Sequence, residues 1–323
     1  MKVRIEYDRL MATARGAWPL LQRYQGLLGL ILLVLVAAAL EPKFLTLRNL
    51  QSVLDQAAVP GIMAVGMTFV IVTGGIDLSV GSLIGLLNCV AGTWLKDGAS
   101  LGTTIAYVLF LGTAIGALLG WIISVTRLQP FVVTLAAMVA LRGIAYVYTN
   151  NAIVSGFRGS TDALQRTYAG LPFAIWLLLA VVLIASITMH KTRFGRHVYA
   201  VGGNEEAARL SALPVTKTKT AAYAINGFCI ALAAIMLTAR GSSGSPEAGV
   251  GYELEAIAAA VVGGSSLLGG YGSPVGTFAG VLFMGSLSVL FILRGINDKV
   301  AMIWKGGIVL LAVYLQHVGR RKG

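Results

Sequence analysis

Charge is scarce in this sequence. Of its 323 residues only 12% are Asp, Glu, Lys or Arg, where soluble domains carry about 25%. A water-facing surface cannot be built from so little, which excludes an ordinary soluble domain. Acid is scarcer still, with 13 Asp and Glu against 25 Lys and Arg. The two cysteines, Cys89 and Cys229, both lie in apolar runs, and His190, His197 and His317 stand singly at segment edges. No pair has metal-ligand spacing, so neither a zinc site nor a disulfide framework is expected, and no metal or other cofactor is called for. There is no Gly-x4-Gly-Lys-Ser/Thr phosphate loop, so ATP hydrolysis by this chain is not expected. The apolar runs hold no cluster of His, Asp and Glu for a proton relay, metalloprotease or lipid-modifying centre.

What is abundant is apolar: 57% of the residues, with a mean hydropathy of +0.81. Such a chain takes lipid as its solvent. The apolar residues fall into ten segments, at about 26–40, 57–73, 79–95, 102–125, 131–149, 171–189, 220–239, 256–268, 275–293 and 300–316. The first and eighth are short for a span of about 20 residues, and Lys305 interrupts the tenth. The first run is followed by Glu41-Pro42-Lys43 rather than a small-residue cleavage pattern, so it reads as an anchor. The net charge of +12 lies in the connections between these runs, which argues for orientation rather than nucleic-acid binding.

Placing the N-terminus inside puts fifteen basic residues in inner connections: Lys2, Arg4, Arg9, Arg15, Arg23, Arg127, Lys191, Arg193, Arg196, Arg209, Lys217, Lys219, Arg320, Arg321 and Lys322. Eight fall outside: Lys43, Arg48, Lys96, Arg158, Arg166, Arg240, Arg294 and Lys299. The expectation is one all-α, polytopic transmembrane bundle over 1–323 with about ten spans and both ends inside. It has a basic head at 1–25, a long inner connection at 190–219 and a long outer one at 150–170.

A few polar residues stand out against this background. Gly74-Gly75 ends a helix, and Asp77 or Ser79 caps the next, either as a plain turn or as a broken helix facing a path or gate. Arg142 sits mid-segment, where a charge costs about 2.5–3.5 kcal/mol on insertion scales, so it must face protein, water or an interface. Asn88 and Asn226 can bond a hydroxyl-rich solute or glue helices together. Residues 74–85 align without gaps on 269–280, matching the glycine pairs and Gly81/Gly276 and Gly85/Gly280, a hint of an internal repeat. In the 190–219 connection, Asn204 can N-cap a short helix whose first turn holds Glu205 and Glu206. Ala207, Ala208 and Leu210 give it a small, flat face suited to docking.

Gly202-Gly203-Asn204-Glu205-Glu206-Ala207-Ala208-Arg209-Leu210 resembles the cytoplasmic coupling loop of bacterial simple-sugar ABC permeases, the ribose, arabinose and xylose type. So do the runs 64–71 and 74–82, and 251–259 followed by Val262-Gly263-Gly264. The resemblance covers the chain from about Phe44 onward. One departure is Ser211-Ala212-Leu213, where the family usually has a glycine after the serine or alanine; its loss should stiffen or shift the helix end. The resemblance implies an inner-membrane permease subunit, a homodimer or a paired permease, with separate ATPase subunits docked on 190–219. An external sugar-binding protein would deliver a simple sugar, a ribose-like pentose first. The rival reading, a secondary transporter driven by an ion gradient, needs a buried carboxylate or ion site, for which the chain offers little beyond Asp77.

Overall fold

The structure is a computed structural model and describes residues 26–157 and 159–320. The basic head, Arg158, Arg321 and Lys322 lie outside the described residues. Thirteen α-helices and one 3-10 turn (Pro42–Leu45) occupy the described residues: α1 (Gly26–Leu40), α2 (Leu47–Val72), α3 (Val80–Lys96), α4 (Leu101–Thr126), α5 (Pro130–Tyr148), α6 (Asp162–Gln165), α7 (Phe173–Lys191), α8 (Arg193–Gly203), α9 (Glu205–Leu210), α10 (Val215–Gly241), α11 (Tyr252–Val262), α12 (Pro274–Leu293) and α13 (Asp298–Arg320). The strands are two residues each, β1 (Thr167–Tyr168) and β2 (Leu171–Pro172), paired antiparallel. The fold is all-α, and every one of the ten apolar segments carries a helix. Six of them, α2, α4, α5, α7, α10 and α12, are long and apolar enough to cross a membrane.

Helix starts follow local chemistry. Ser100 accepts from the Thr103 amide (3.1 Å) at the head of α4, and Ser273 from the Gly276 amide (3.0 Å) at the head of α12. Pro130 and Pro274 occupy first-turn positions of α5 and α12, where the missing N–H has no partner to lose. α2 starts ten residues before the apolar segment that announced it; its first turns carry Arg48, Asn49, Gln51, Ser52, Asp55 and Gln56 and so read as loop in the sequence.

α2 is the central helix, buried almost throughout from Ala57 to Val72. α10 packs along it and along α4. On α4, Gly112, Gly116 and Gly120 lie one turn apart and bring the backbone against Gly227, Tyr223 and Thr220 of α10. This is small-residue packing, suited to a medium that gives no hydrophobic push between helices. The periphery is apolar in the other direction: Phe110, Leu118, Val139, Val147, Leu183 and Ile184 point outward. The chain is a multi-pass membrane protein.

Connections segregate to two ends. At one end Gly270 donates to the Val72 carbonyl (2.9 Å), and Tyr199 of α8 donates to the Gly272 carbonyl (2.7 Å). At the other, Asp55 pairs with Arg240 (2.9 Å), Val154 bridges to Gly244, and Arg294 meets the Leu40 carbonyl. Two stretches between these ends are not helical. Residues 73–79 precede α3, and residues 242–251 precede α11, whose 11 residues reach about 16 Å, half of a hydrocarbon layer of about 30 Å. The eighth apolar segment is thus a short helix that stops at Val262, followed by a glycine-rich turn, rather than a helix over 256–268.

Candidate functional site

The 190–219 connection is itself mostly helical. α7 runs to Lys191, α8 follows after Thr192, α9 after Asn204, and α10 already begins at Val215, so Lys217 and Lys219 stand on a helix. The Asn204 side-chain oxygen accepts from the Ala207 amide (2.9 Å), which caps α9. Glu205 is held by Arg209 (3.0 Å) and by Lys219 of α10. Partial burial alone would raise its carboxyl, but the two cations outweigh burial and hold it below the usual carboxylate range. The contribution of this pairing is therefore complete above the unfolded value of about 4.3, and disappears only as pH falls through the lower folded value. α9 ends in a Schellman turn: Leu213 donates to the Ala208 carbonyl and Ala212 to the Arg209 carbonyl, both 3.0 Å. Ala212 takes φ +58° there, a left-handed conformation that costs a side chain about 1–2 kcal/mol. The position where a glycine was missing is the one that favours it.

Ala208 corrects the picture of a flat docking face. It is buried against Val201, Val215 and Leu213, inside the loop's own small core. Glu205 likewise spends its charge within the chain. What α9 shows outward is Glu206, Ala207 and Leu210, and Leu210 is 82% exposed.

α8 seats this unit on the bundle. A methyl group at Gly202 would overlap the Val72 carbonyl oxygen and stand 2.7 Å from the Gly270 nitrogen. Gly203 lies against Gly270, and Gly269 against Gly74. The two glycine pairs that align in sequence thus meet in space, and a third pair, Gly202-Gly203, rests on Gly269-Gly270 and on Val72 at the end of α2. Gly74, Gly269 and Gly270 all have positive φ, so the turns need glycine for conformation as well as room. Burial pushes the Tyr199 phenol up to about 12, so it stays a hydrogen-bond donor to Gly272 across the same junction.

The other singled-out residues form two groups. Asp77 is 2% exposed; its Oδ1 accepts from the Ser79 amide (2.9 Å) and hydroxyl (2.5 Å), and its Oδ2 from the Asn226 amide (2.8 Å). This group ties the 73–79 turn to α10. Asn88 donates to Thr238 (2.7 Å) and to the Ser243 carbonyl (3.1 Å), and its oxygen accepts from the Ser245 amide (2.7 Å). The Arg142 guanidinium donates to the carbonyls of Gly81 (2.7 Å), Ala248 (2.9 Å) and Pro246. Asn88 and Arg142 together hold the non-helical 242–251 stretch on α3. Irregular backbone inside an apolar bundle needs its polar groups satisfied by protein or water, and here side chains do part of that work. Asp77, Ser79 and Asn226 do not reach Asn88 or Arg142.

The aligned glycines also share a task. Gly81 and Gly85 of α3 admit the backbone around Gly249 and Ala248, while Gly276 and Gly280 of α12 admit Gly263 and Ala259. One i, i+4 glycine face thus grips each end of the 246–263 stretch.

A family profile described as the permease component of a branched-chain amino acid transport system matches residues 49–313. The chain belongs to this permease family. It is 43% identical over 307 residues to the ribose import permease protein RbsC of Escherichia coli K12, covering 93% of this chain and 95% of the relative. It is 40% identical over 317 residues to RbsC of Bacillus subtilis, covering 97% and 95%. It is 37% identical over 344 residues to the xylose transport system permease protein XylH of Escherichia coli K12, covering 86% and 87%. No solved structure matches the chain.

Sequence reasoning passed over one further feature of this permease. A cavity of about 430 Å³ opens between α2, α10, α11, α12 and α13, toward the end opposite α9. Gln56, Arg240, Tyr252, Glu255, Ser288 and Lys305 line it. The available signal was Lys305 inside an apolar segment with no partner visible nearby in sequence; its partner, Glu255, is fifty positions away, at 2.8 Å.

The Asp77 group gives a first expected result. Asp77→Ala removes the acceptor of three hydrogen bonds, at about 1–3 kcal/mol for a buried donor left unpaired. It should lower the melting temperature of the purified permease clearly. Asp77→Asn should lower it less than half as much, because the side-chain oxygen of Asn226, unpaired in this structure, can turn to accept the new amide. Equal melting losses for both variants would show that the carboxylate charge, not the hydrogen bonding, holds the turn.

Proposed function

We propose that this chain is the membrane-spanning permease subunit of an ATP-driven importer for a ribose-like pentose in the bacterial cytoplasmic membrane. The likeness to ribose import permeases over 95% of their length carries the reading, and it includes the 190–219 connection. In this reading the ten apolar segments make ten crossings, with 73–79 plus α3 and 242–251 plus α11 each counted as one. Both chain ends and α9 face the cytoplasm, in keeping with the fifteen-to-eight distribution of basic residues. A second permease copy completes the path, separate ATPase subunits dock on α9, and an external sugar-binding protein delivers solute.

The geometry suits that division of labour. Leu210 offers a lone apolar knob and Glu206 a free charge, on a helix braced from behind by Ala208 and by the Glu205–Lys219 pair. Motion imposed on α9 reaches α8 through their shared core, and α8 rests by backbone contact on the 72–74 and 269–270 turns. Those turns lead directly to Asp77 and α3 on one side and to α12 on the other.

Uptake into vesicles tests the reading. Pentose accumulation should require ATP together with the ATPase and binding-protein partners; an ion gradient sufficient by itself would refute it. Leu210→Asp should leave membrane insertion normal but reduce copurification of the ATPase at least tenfold. Undiminished copurification would move the docking surface off α9.

A further inference from the structure

We infer that the cavity lined by Gln56, Arg240, Tyr252, Glu255, Ser288 and Lys305 is a monosaccharide-binding station on the translocation path. The inference rests on the importer reading above and adds to it where, within one permease chain, a sugar is held. Its volume, about 430 Å³, falls among small-molecule sites of about 300–1,000 Å³.

The chemistry of the lining selects a neutral polyol. Polar groups converge here from four helices, and Lys305 is, with Arg142, one of the two charges inside the apolar segments: Gln56 comes from α2, Glu255 from α11, Ser288 from α12 and Lys305 from α13. Lys305 and Glu255 neutralise each other at 2.8 Å, with side chains 22% and 32% exposed. Arg240 at the rim is neutralised by Asp55 at 2.9 Å. An added ion of either sign would have to break one of these pairs. A sugar hydroxyl would not, since it both donates and accepts: an ammonium has three protons and a carboxylate about four lone-pair sites, so a paired Lys–Glu still offers both functions to a hydroxyl. Pro60, also on the wall, has no N–H to give the Gln56 carbonyl one turn earlier, which leaves a main-chain acceptor beside the Gln56 amide. Tyr252 supplies an aromatic wall. Paired charges and a few dispersed hydrogen-bonding groups make a weak site, which a station on a path must be if solute is to leave it.

The position supports the same reading. Lys305 lies seven residues into α13 and Ser288 five residues before the end of α12, so the station sits about 8–10 Å below the end opposite the coupling helix. Its inner wall is Ala259 and Val281, next to the close α11–α12 contact of Ala259 with Gly280. The floor of the cavity is therefore made by the helix pair whose turn, at 263–273, touches α8.

The test uses the assembled transporter in proteoliposomes, with its ATPase and binding protein. Ser288→Cys should react with a membrane-impermeant thiol reagent, while the native Cys89 and Cys229 are buried. D-ribose should slow that reaction at least threefold, and L-leucine should not. The modification should then cut ATP-driven D-ribose uptake more than tenfold. Glu255→Gln/Lys305→Gln, which removes both charges and leaves none unpaired, should cut uptake more than threefold while the ATPase still copurifies. Asp97→Asn, exposed and remote from the cavity, serves as the control. Normal uptake after modification, or uptake within threefold of wild type in the double variant, would overturn the station, as would protection by L-leucine but not by D-ribose. Failure of the unmodified wild type to take up D-ribose with ATP would instead strike the importer reading. In that case protection of the introduced thiol by D-ribose alone decides the cavity, and its absence overturns it.

Discussion

Arg142→Leu should give a chain that inserts into the membrane normally but neither survives purification well nor supports uptake. The side chain does not pair with one residue; it supplies donors to the carbonyls of Gly81, Pro246 and Ala248 at once. Leu removes all of them. Each buried carbonyl left without a donor costs about 1–3 kcal/mol, so the loss should reach at least about 3 kcal/mol. Glu253 and Glu247, which face the guanidinium electrostatically, would also lose their counter-charge. Insertion depends on the apolarity of α5, which Leu improves; the damage comes later, when the 242–251 stretch has to pack on α3. The melting temperature of the detergent-purified complex should fall by roughly 5–10 °C, and uptake should fall by more than tenfold. Arg142→Lys should recover little, because a compact ammonium cannot span three carbonyls as a planar fork does. A stable, transporting Arg142→Leu variant would mean that water already satisfies that stretch.

Gly202→Ala should separate ATP hydrolysis from transport. The added methyl would overlap the Val72 carbonyl oxygen, and both partners are backbone, so neither can swing aside. Overpacking of this kind costs about 1–3 kcal/mol. Here it can be relieved by lifting α8 off the 72–74 and 269–270 turns, which leaves the bundle intact. α9, with its exposed Leu210, remains available to the ATPase. The expected result is ATPase copurification and ATP hydrolysis near wild type with uptake down more than tenfold. Gly203→Ala, where an added methyl meets nothing within 4 Å, should lose far less. If Gly202→Ala transports as well as Gly203→Ala, the force path does not run through this glycine contact.

Most of the architecture was legible in advance because length and apolarity are one-dimensional. The ten apolar segments each hold a helix, and the Asn204 cap of α9 sits where the sequence put it. Helix lengths were less legible: α2 begins among polar residues that look like loop, and the Gly-rich eighth segment is half helix and half turn. The glycine-pair alignment between 74–85 and 269–280 drew attention to two turns, but sequence similarity could not reveal that they touch each other and that the second touches α8. In the site, Asp77, Ser79 and Asn226 proved to be one hydrogen-bonded group, and Asn88 and Arg142 a second. The Lys305–Glu255 cavity went unread.

By itself the sequence determined the solvent, the number and order of apolar segments, the absence of a phosphate loop and the capped helix in the long connection. Each follows from composition, run length or a local hydrogen bond within four residues. Only the tertiary structure decided that Ala208 faces inward and Leu210 outward, that Arg142 clasps a non-helical stretch, and that Glu255 meets Lys305. The reason lies in the solvent. In water a helix betrays its buried face through a polar stripe at a period of 3.6, whereas a helix apolar all round carries no such stripe. Its inward face is set by where glycines allow backbones to approach and where scattered polar groups find partners, and those partners lie 50, 61, 104 and 149 positions apart in this chain.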